Sequence, residues 1–169
     1  SATDSVSVTV ENAAPEITDA SIAPDPAYTD DILVATTISS DADGDAVSIS
    51  YAWYVDSGAG AVQVGGNSTS LDGSQYFESG HLVYVIATPN DGIEDGAPVT
   101  SNTVAIGNTE PSAPIVEIQP TNPVEGEDDV LCVISTASSD PDAADTIGYS
   151  AQWTQDGTAY NSATTTTFS

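Results

Sequence analysis

Two stretches of this chain spell the same local plan. Ile38-Ser39-Ser40-Asp41-Ala42-Asp43-Gly44-Asp45 leads through an apolar run to Tyr51-Ala52-Trp53, and Ser138-Ser139-Asp140-Pro141-Asp142-Ala143-Ala144-Asp145 leads to Ala151-Gln152-Trp153. The two tryptophans stand 100 positions apart, and the boundary signal Glu11-Asn12-Ala13-Ala14-Pro15 returns 96 positions later as Gly107-Asn108-Thr109-Glu110-Pro111. A period of that length exceeds a solenoid repeat and suits independently folding domains in series. The chain ends 16 positions after Trp153, so the expectation is a piece of a longer tandem array. Residues 1–12 read as the last strand of a preceding repeat plus a linker, 13–108 as a complete repeat, and 109–169 as the N-terminal part of a second.

Within each repeat the apolar residues alternate with polar ones, the period of a half-buried strand. Val47, Ile49, Tyr51, Trp53 and Val55 share one face of such a strand. Ile17–Ile22, Asp31–Ile38, Ala61–Val64, Ser68–Leu71, Leu82–Thr88 and Val99–Ile106 complete the set, separated by turn clusters such as Pro24-Asp25-Pro26 and Pro89-Asn90-Asp91-Gly92. Seven short strands at this spacing predict an all-β antiparallel sandwich, and no stretch carries a helical period. In the second repeat, Ile115–Ile118, Val130–Ser135, Ile147–Thr154 and Thr165–Phe168 match the first, second, third and fifth strands. Counterparts of the last two strands are not found, so the second sandwich is expected to be incomplete.

Charge excludes whole classes of partner. The chain has 26 acidic residues and no Lys or Arg, a formal charge of −26. Nothing here neutralises a phosphate, so nucleic acid is excluded as a partner, and anionic membrane surfaces are disfavoured likewise. No segment is long and apolar enough to span a bilayer as a helix. Such acidity alone would suit a disordered chain, but 39% of the residues are hydrophobic, and their regular alternation argues for order.

The acidic loops are the candidate functional feature. Asp41, Asp43 and Asp45 offer closely spaced carboxylates, the hard oxygen ligands that Ca²⁺ takes in sets of six to eight. The run is not an EF-hand loop, for Gly44 is its fourth residue and Ala52 holds the place of the terminal glutamate,. In a sandwich of this kind the loop after the second strand, the loop after the sixth and the entry of the first strand share one end. That end would gather Asp41, Asp43 and Asp45 with Asp91, Glu94, Asp95 and the linker residues Glu11 and Asn12. The second junction would offer Asn108, Glu110, Asp140, Asp142 and Asp145. The opposite end of the first repeat could add Asp30, Asp31, Asp72 or Glu78. Ca²⁺ between domains is therefore the expected cofactor, and solvated acidic turns are the alternative.

Asn12-Ala13-Ala14-Pro15, Ser40 to Asp45, Tyr51-Ala52-Trp53-Tyr54-Val55 and Val85-Ile86-Ala87-Thr88-Pro89-Asn90-Asp91-Gly92 resemble bacterial immunoglobulin-like or PKD-like repeats of large secreted and cell-surface proteins. Asp128-Asp129-Val130-Leu131-Cys132 and Trp153-Thr154-Gln155-Asp156-Gly157 resemble a cysteine-bearing version of them. The resemblance implies tandem immunoglobulin-like sandwiches, an extracellular or cell-surface location, and a role as stalk, adhesin spacer or filament component. It also implies cadherin-like calcium junctions at Asp41/Asp43, Asp140/Asp142 and the linker acids. With Cys132 aligned on Val34, a Val34–Val85 contact in the first repeat would be replaced in the second by a disulfide. Its partner would lie beyond the chain end. The alternative for Cys132 is a buried free thiol packing as a small apolar side chain.

Catalysis is not expected. His81 is the one imidazole and follows Gly80 in a turn, and neither a phosphate loop nor a zinc-ligand spacing is present. Tyr28, Tyr51, Tyr54, Tyr76 and Tyr84 could line a glycan-binding face, unless alternate ones belong to the core. The expected function is thus a non-enzymatic structural segment whose partners are neighbouring repeats of the same or identical chains. The alternative is a module that binds glycan or a surface protein. Strand exchange between copies is a variant of the first.

Overall fold

The computed structural model describes residue 4 and residues 6–159. The chain divides into two compact units, Ser1–Asn108 and Thr109–Ser169. Among the described residues the regular structure of both is almost all strand.

Along the first unit come β1 (Glu16–Ala23), β2 (Ala27–Tyr28), β3 (Ile32–Ser40), β4 (Ser48–Asp56), β5 (Ala61–Val64), β6 (Ser70–Asp72), the single turn α1 (Gly73–Tyr76), β7 (Leu82–Asn90), β8 (Val99–Thr100) and β9 (Val104–Gly107). One sheet has the order β1-β3-β6; the other runs β2-β9-β7-β4-β5, with β8 also on β7. Their inner faces meet in one core. Ile22, Leu33, Ala35 and Leu71 come from the first sheet, and Trp53, Val55, Val83, Val85, Val104 and Ile106 from the second. The alternation read from the sequence makes this possible, because every second side chain of a strand points to the same face. Trp53 is fully buried, and its indole N–H donates to the Ser68 carbonyl at 2.8 Å, so the largest core side chain leaves no donor unpaired. Burying Leu33, Val83, Val85 or Val104 contributes about 1.5–3 kcal/mol each.

Three features depart from the expected pattern. Pro24-Asp25-Pro26 carries the chain from one sheet to the other, where β2 pairs parallel with β9 (Ala27 with Ile106, Tyr28 with Gly107); two residues are too few to show a period. The expected strand Val99–Ile106 is split into β8 and β9. Between them Asn102 acts as a surrogate strand, its Oδ1 accepting from Ile22 N–H at 2.8 Å and its Nδ2 donating to Ile22 O at 3.3 Å. Where no helix was expected, α1 forms because Asp72 caps it, accepting from the Ser74 backbone N–H,. The segment of residues 6–12 forms no strand.

In the second unit β10 (Ile115–Gln119) pairs antiparallel with β11 (Leu131–Thr136), and β12 (Thr154–Gln155) with β13 (Thr158–Ala159). The expected strand Ile147–Thr154 is not formed before Thr154. In the first unit β4 lies between β5 and β7 and bonds to both, but among the described residues no strand flanks 147–153 in the second. The expected strand Thr165–Phe168 lies outside the described residues.

The alignment of Cys132 on Val34 is corrected by register. Ile22 pairs with Ala35, and Ile118, in the matching Ile-x-Pro sequence, pairs with Cys132. The acidic turn of the second unit is one residue longer, and a one-residue slip exchanges the faces of a strand. Cys132 thus occupies the place of Ala35, which is 7% exposed, rather than that of Val34, which is 46% exposed. Val34 faces solvent and forms no core contact with the fully buried Val85.

Gly96 marks where the β7–β8 loop touches the entry of the chain. A Cβ there would run into the Pro15 carbonyl oxygen, whereas one on Gly66 would meet nothing. Gly96→Ala is expected to destabilise the first unit by about 1–3 kcal/mol, since the obstacle is backbone, and Gly66→Ala to stay within about 0.5 kcal/mol. Urea unfolding of both variants checks this; equal midpoints would refute the contact.

Candidate functional site

The first unit holds its entering chain between two acidic loops. After β3, Asp41 closes a turn on itself: Oδ1 accepts from the N–H groups of Asp43 at 2.8 Å and Asp45 at 3.1 Å. Gly44, at φ +84°, supplies the left-handed step that this turn requires,. Asp43, thereby turned toward the entering chain, accepts the Ala13 N–H through Oδ2 at 2.7 Å. After β7, Asp91 accepts Ile93 N–H at 2.7 Å and Glu94 N–H at 2.8 Å through Oδ1. Its Oδ2 accepts from Asn12 Nδ2 at 2.8 Å, and Asn12 also donates to Glu94 Oε1 at 3.0 Å. The Asn12 amide therefore sits between two carboxylates as a donor. Its bond to Asp91, then those from Glu94 and Ile93, hold the Asp91 carboxyl below its ordinary value,.

The second unit repeats the device with different neighbours. Asp140 Oδ1 accepts the Asp142 N–H at 2.9 Å, and Asp142 Oδ2 accepts the Thr109 N–H at 2.7 Å. Ser112 and Ser139 add a second tie, Ser112 N–H to Ser139 O at 2.8 Å and Ser139 N–H to Ser112 Oγ at 2.8 Å. The loop is tightened further by Asp145 N–H, which donates to the Asp142 carbonyl at 2.9 Å. Carboxylate oxygens of Asp140, Asp142 and Asp145 lie within 4.8 Å of one another, and Asp142 is only 3% exposed.

These distances decide which expected ligands meet. Asp140, Asp142 and Asp145 form a group that can hold a metal ion. Asp43 reaches Ala13 and Asp91 reaches the neighbouring Asn12, but among the described residues Asp41, Asp43 and Asp91 form no such group of three. Asp95 is taken by Asn90, whose Nδ2 donates to its Oδ1 at 2.8 Å. Glu11, Asn108 and Glu110 are exposed. At the opposite end, Asp72 accepts from Ser74 and Gln75, and the Ser74 hydroxyl above all lowers its pKa. Asp31 accepts the Tyr28 N–H at 2.8 Å. The sequence reading missed the two backbone donors, Ala13 and Thr109, which no side-chain motif announces.

A divalent cation fits this chemistry in one further respect. Asp41 Oδ2 is enclosed and has no hydrogen-bond partner among the described residues. A carboxylate oxygen shut from water without a donor is costly, and a cation would satisfy it.

The other candidates have structural occupations. Nδ1 of His81 accepts the Glu78 N–H at 3.1 Å. Tyr51 is half-buried against the core, its hydroxyl 3.3 Å from that of Thr37. Tyr54 and Tyr84, cross-strand partners, stack on each other at 5.2 Å between ring centroids, 8° from parallel. Each covers a face of the other, so neither offers both faces to a sugar. No helix among the described residues is long and apolar enough to cross a membrane. No protein-family model and no curated protein sequence matches the chain.

The bond from Asn12 to Asp91 has a defined pH range. The folded pKa of Asp91 lies below its ordinary 3.8, so its stabilising contribution is complete above that value and is lost as pH falls through the lower folded one. The stability gap between wild type and Asn12→Ala should thus persist at neutral pH and close in the acid range below 3.8. Urea midpoints along a pH series read it; a gap unchanged down to the acid limb would remove Asp91 as the partner.

Proposed function

We propose that this chain is a non-enzymatic structural segment of an extracellular or cell-surface protein. It is read as tandem immunoglobulin-like sandwiches in a stalk, adhesin spacer or filament, with Ca²⁺ bound at the linker-facing ends. The observation that carries this reading is the repetition of one device in two units. In each, the first aspartate of an Asp-x-Asp turn accepts the N–H of the second (Asp41 from Asp43, Asp140 from Asp142), and the second holds the entering chain (Asp43 on Ala13, Asp142 on Thr109). A spacer needs each linker seated against the unit that it enters, and this geometry supports that role. The immunoglobulin-like assignment is supported by the sheet orders of the first unit, the parallel β2–β9 pair and the buried Trp53 on β4. Calcium as the ion is supported by the all-oxygen donors and the clustered carboxylates,.

Thermal unfolding at low ionic strength tests the metal. Millimolar Ca²⁺ should raise Tm, by about 4–8 °C for each kcal/mol of binding energy in a domain of this size. Chelator should reverse the rise, and Asp142→Asn, which keeps an acceptor but loses the charge, should reduce it. If Ca²⁺ does no more than monovalent salt of equal ionic strength, the carboxylates serve as hydrogen-bond acceptors alone and the calcium reading fails.

A further inference from the structure

Asn67-Ser68-Thr69 has the order Asn-x-Thr, with x other than proline, that accepts an N-linked glycan,. No other Asn of the chain has Ser or Thr two places on. The three residues lie in the connection between β5 and β6, and all three are exposed. A surface loop is the context that the motif requires.

The Asn67 side chain is held in one orientation. β5 pairs with β4 from Trp53 to Asp56, and beyond that pairing the Tyr51 N–H donates to Asn67 Oδ1 at 2.8 Å. With Oδ1 occupied, Nδ2 at the other corner of the planar amide is left without a hydrogen bond among the described residues. Glycosylation consumes one Nδ2 hydrogen and leaves Oδ1 an acceptor, so the bond to Tyr51 survives it. A Cβ on the adjoining Gly66 would meet nothing within 4 Å, so the chain beside the acceptor is open as well.

We propose that Asn67 carries an N-linked oligosaccharide. This rests on the extracellular location proposed above, because the donor, an oligosaccharide on a lipid pyrophosphate, is met on an export route. Nδ2 bonds to the anomeric carbon, the lipid pyrophosphate departs with the electrons of the broken C–O bond, and one amide proton is released. The position gives the sugar a task. Residues 57–71 contain no charged side chain, in a chain of formal charge −26. They include β5, the end strand of its sheet, on which Val62 is 63% exposed. An uncharged edge with unpaired N–H and C=O groups invites unwanted pairing. A bulky hydrophilic group three residues past Val64, where β5 ends, shields it,.

The same charge-free run makes the test direct. A protease specific for acidic residues releases residues 57–72 as one peptide from the protein isolated from the cells that make it. That peptide should carry an oligosaccharide that peptide N-glycosidase removes, with conversion of Asn67 to Asp. Thr69→Ala removes the motif and not the bond to Tyr51; it should abolish the glycan and leave the circular-dichroism spectrum unchanged, whereas Thr69→Ser should keep the glycan. An unmodified peptide from protein at the cell surface would overturn the proposal and leave the location standing. Protein confined to the cytosol would remove both. A sugar that persists in Thr69→Ala would lie on another residue and overturn the assignment to Asn67.

Discussion

The bond between an aspartate and a backbone N–H organises this protein. A chain with 26 carboxylates and no Lys or Arg has almost only neutral groups to hold its charges. Bonds to an ionised acceptor are stronger than those between neutral groups, and here they do the work that ion pairs do elsewhere. Asp41, Asp56, Asp91 and Asp140 each bind backbone N–H groups a few residues ahead, giving rigid turns between strands. Asp43 and Asp142 apply the same bond at long range, and so determine where the chain enters each unit. The acidity that opposes compaction at a distance is also, bond by bond, what shapes the loops.

The fold was legible where burial imposes a period. The apolar face of β4 could be named from alternation alone, because a half-buried strand admits one arrangement of apolar side chains, whereas on β3 the reading that set Val34 against Val85 chose the exposed face. Legibility failed where partners far along the chain decide. Two residues become β2 only because β9 lies beside them. The break between β8 and β9 follows from Asn102 reaching Ile22. The Cys132 alignment slipped because the turn before it is one residue longer, a difference that strand pairing reveals and similarity of acidic runs conceals.

The candidate site was legible in part for related reasons. Paired aspartates at Asp41/Asp43 and Asp140/Asp142 stand out by spacing, and that both reach the entering chain follows from sandwich geometry. Which atom they reach does not, since every residue but proline carries an N–H and only the fold selects Ala13 and Thr109. Asn12 was expected as an oxygen ligand and instead donates. With no cationic side chain nearby, an amide is the available group that can settle between Asp91 and Glu94.

The parallel β2–β9 pair has a mechanical consequence for a unit connected at both termini. Tension entering near Asn12 loads β1 on β3 first and, once β1 has peeled away, pulls β2 from its leading end, while tension leaving near Asn108 pulls β9 from its trailing end. In parallel neighbours these forces act along the strands in opposite senses, so the rungs between Ala27 and Ile106 and between Tyr28 and Gly107 are sheared together rather than unzipped one by one. A short pairing that adds little to equilibrium stability can thereby govern how abruptly the unit yields to load.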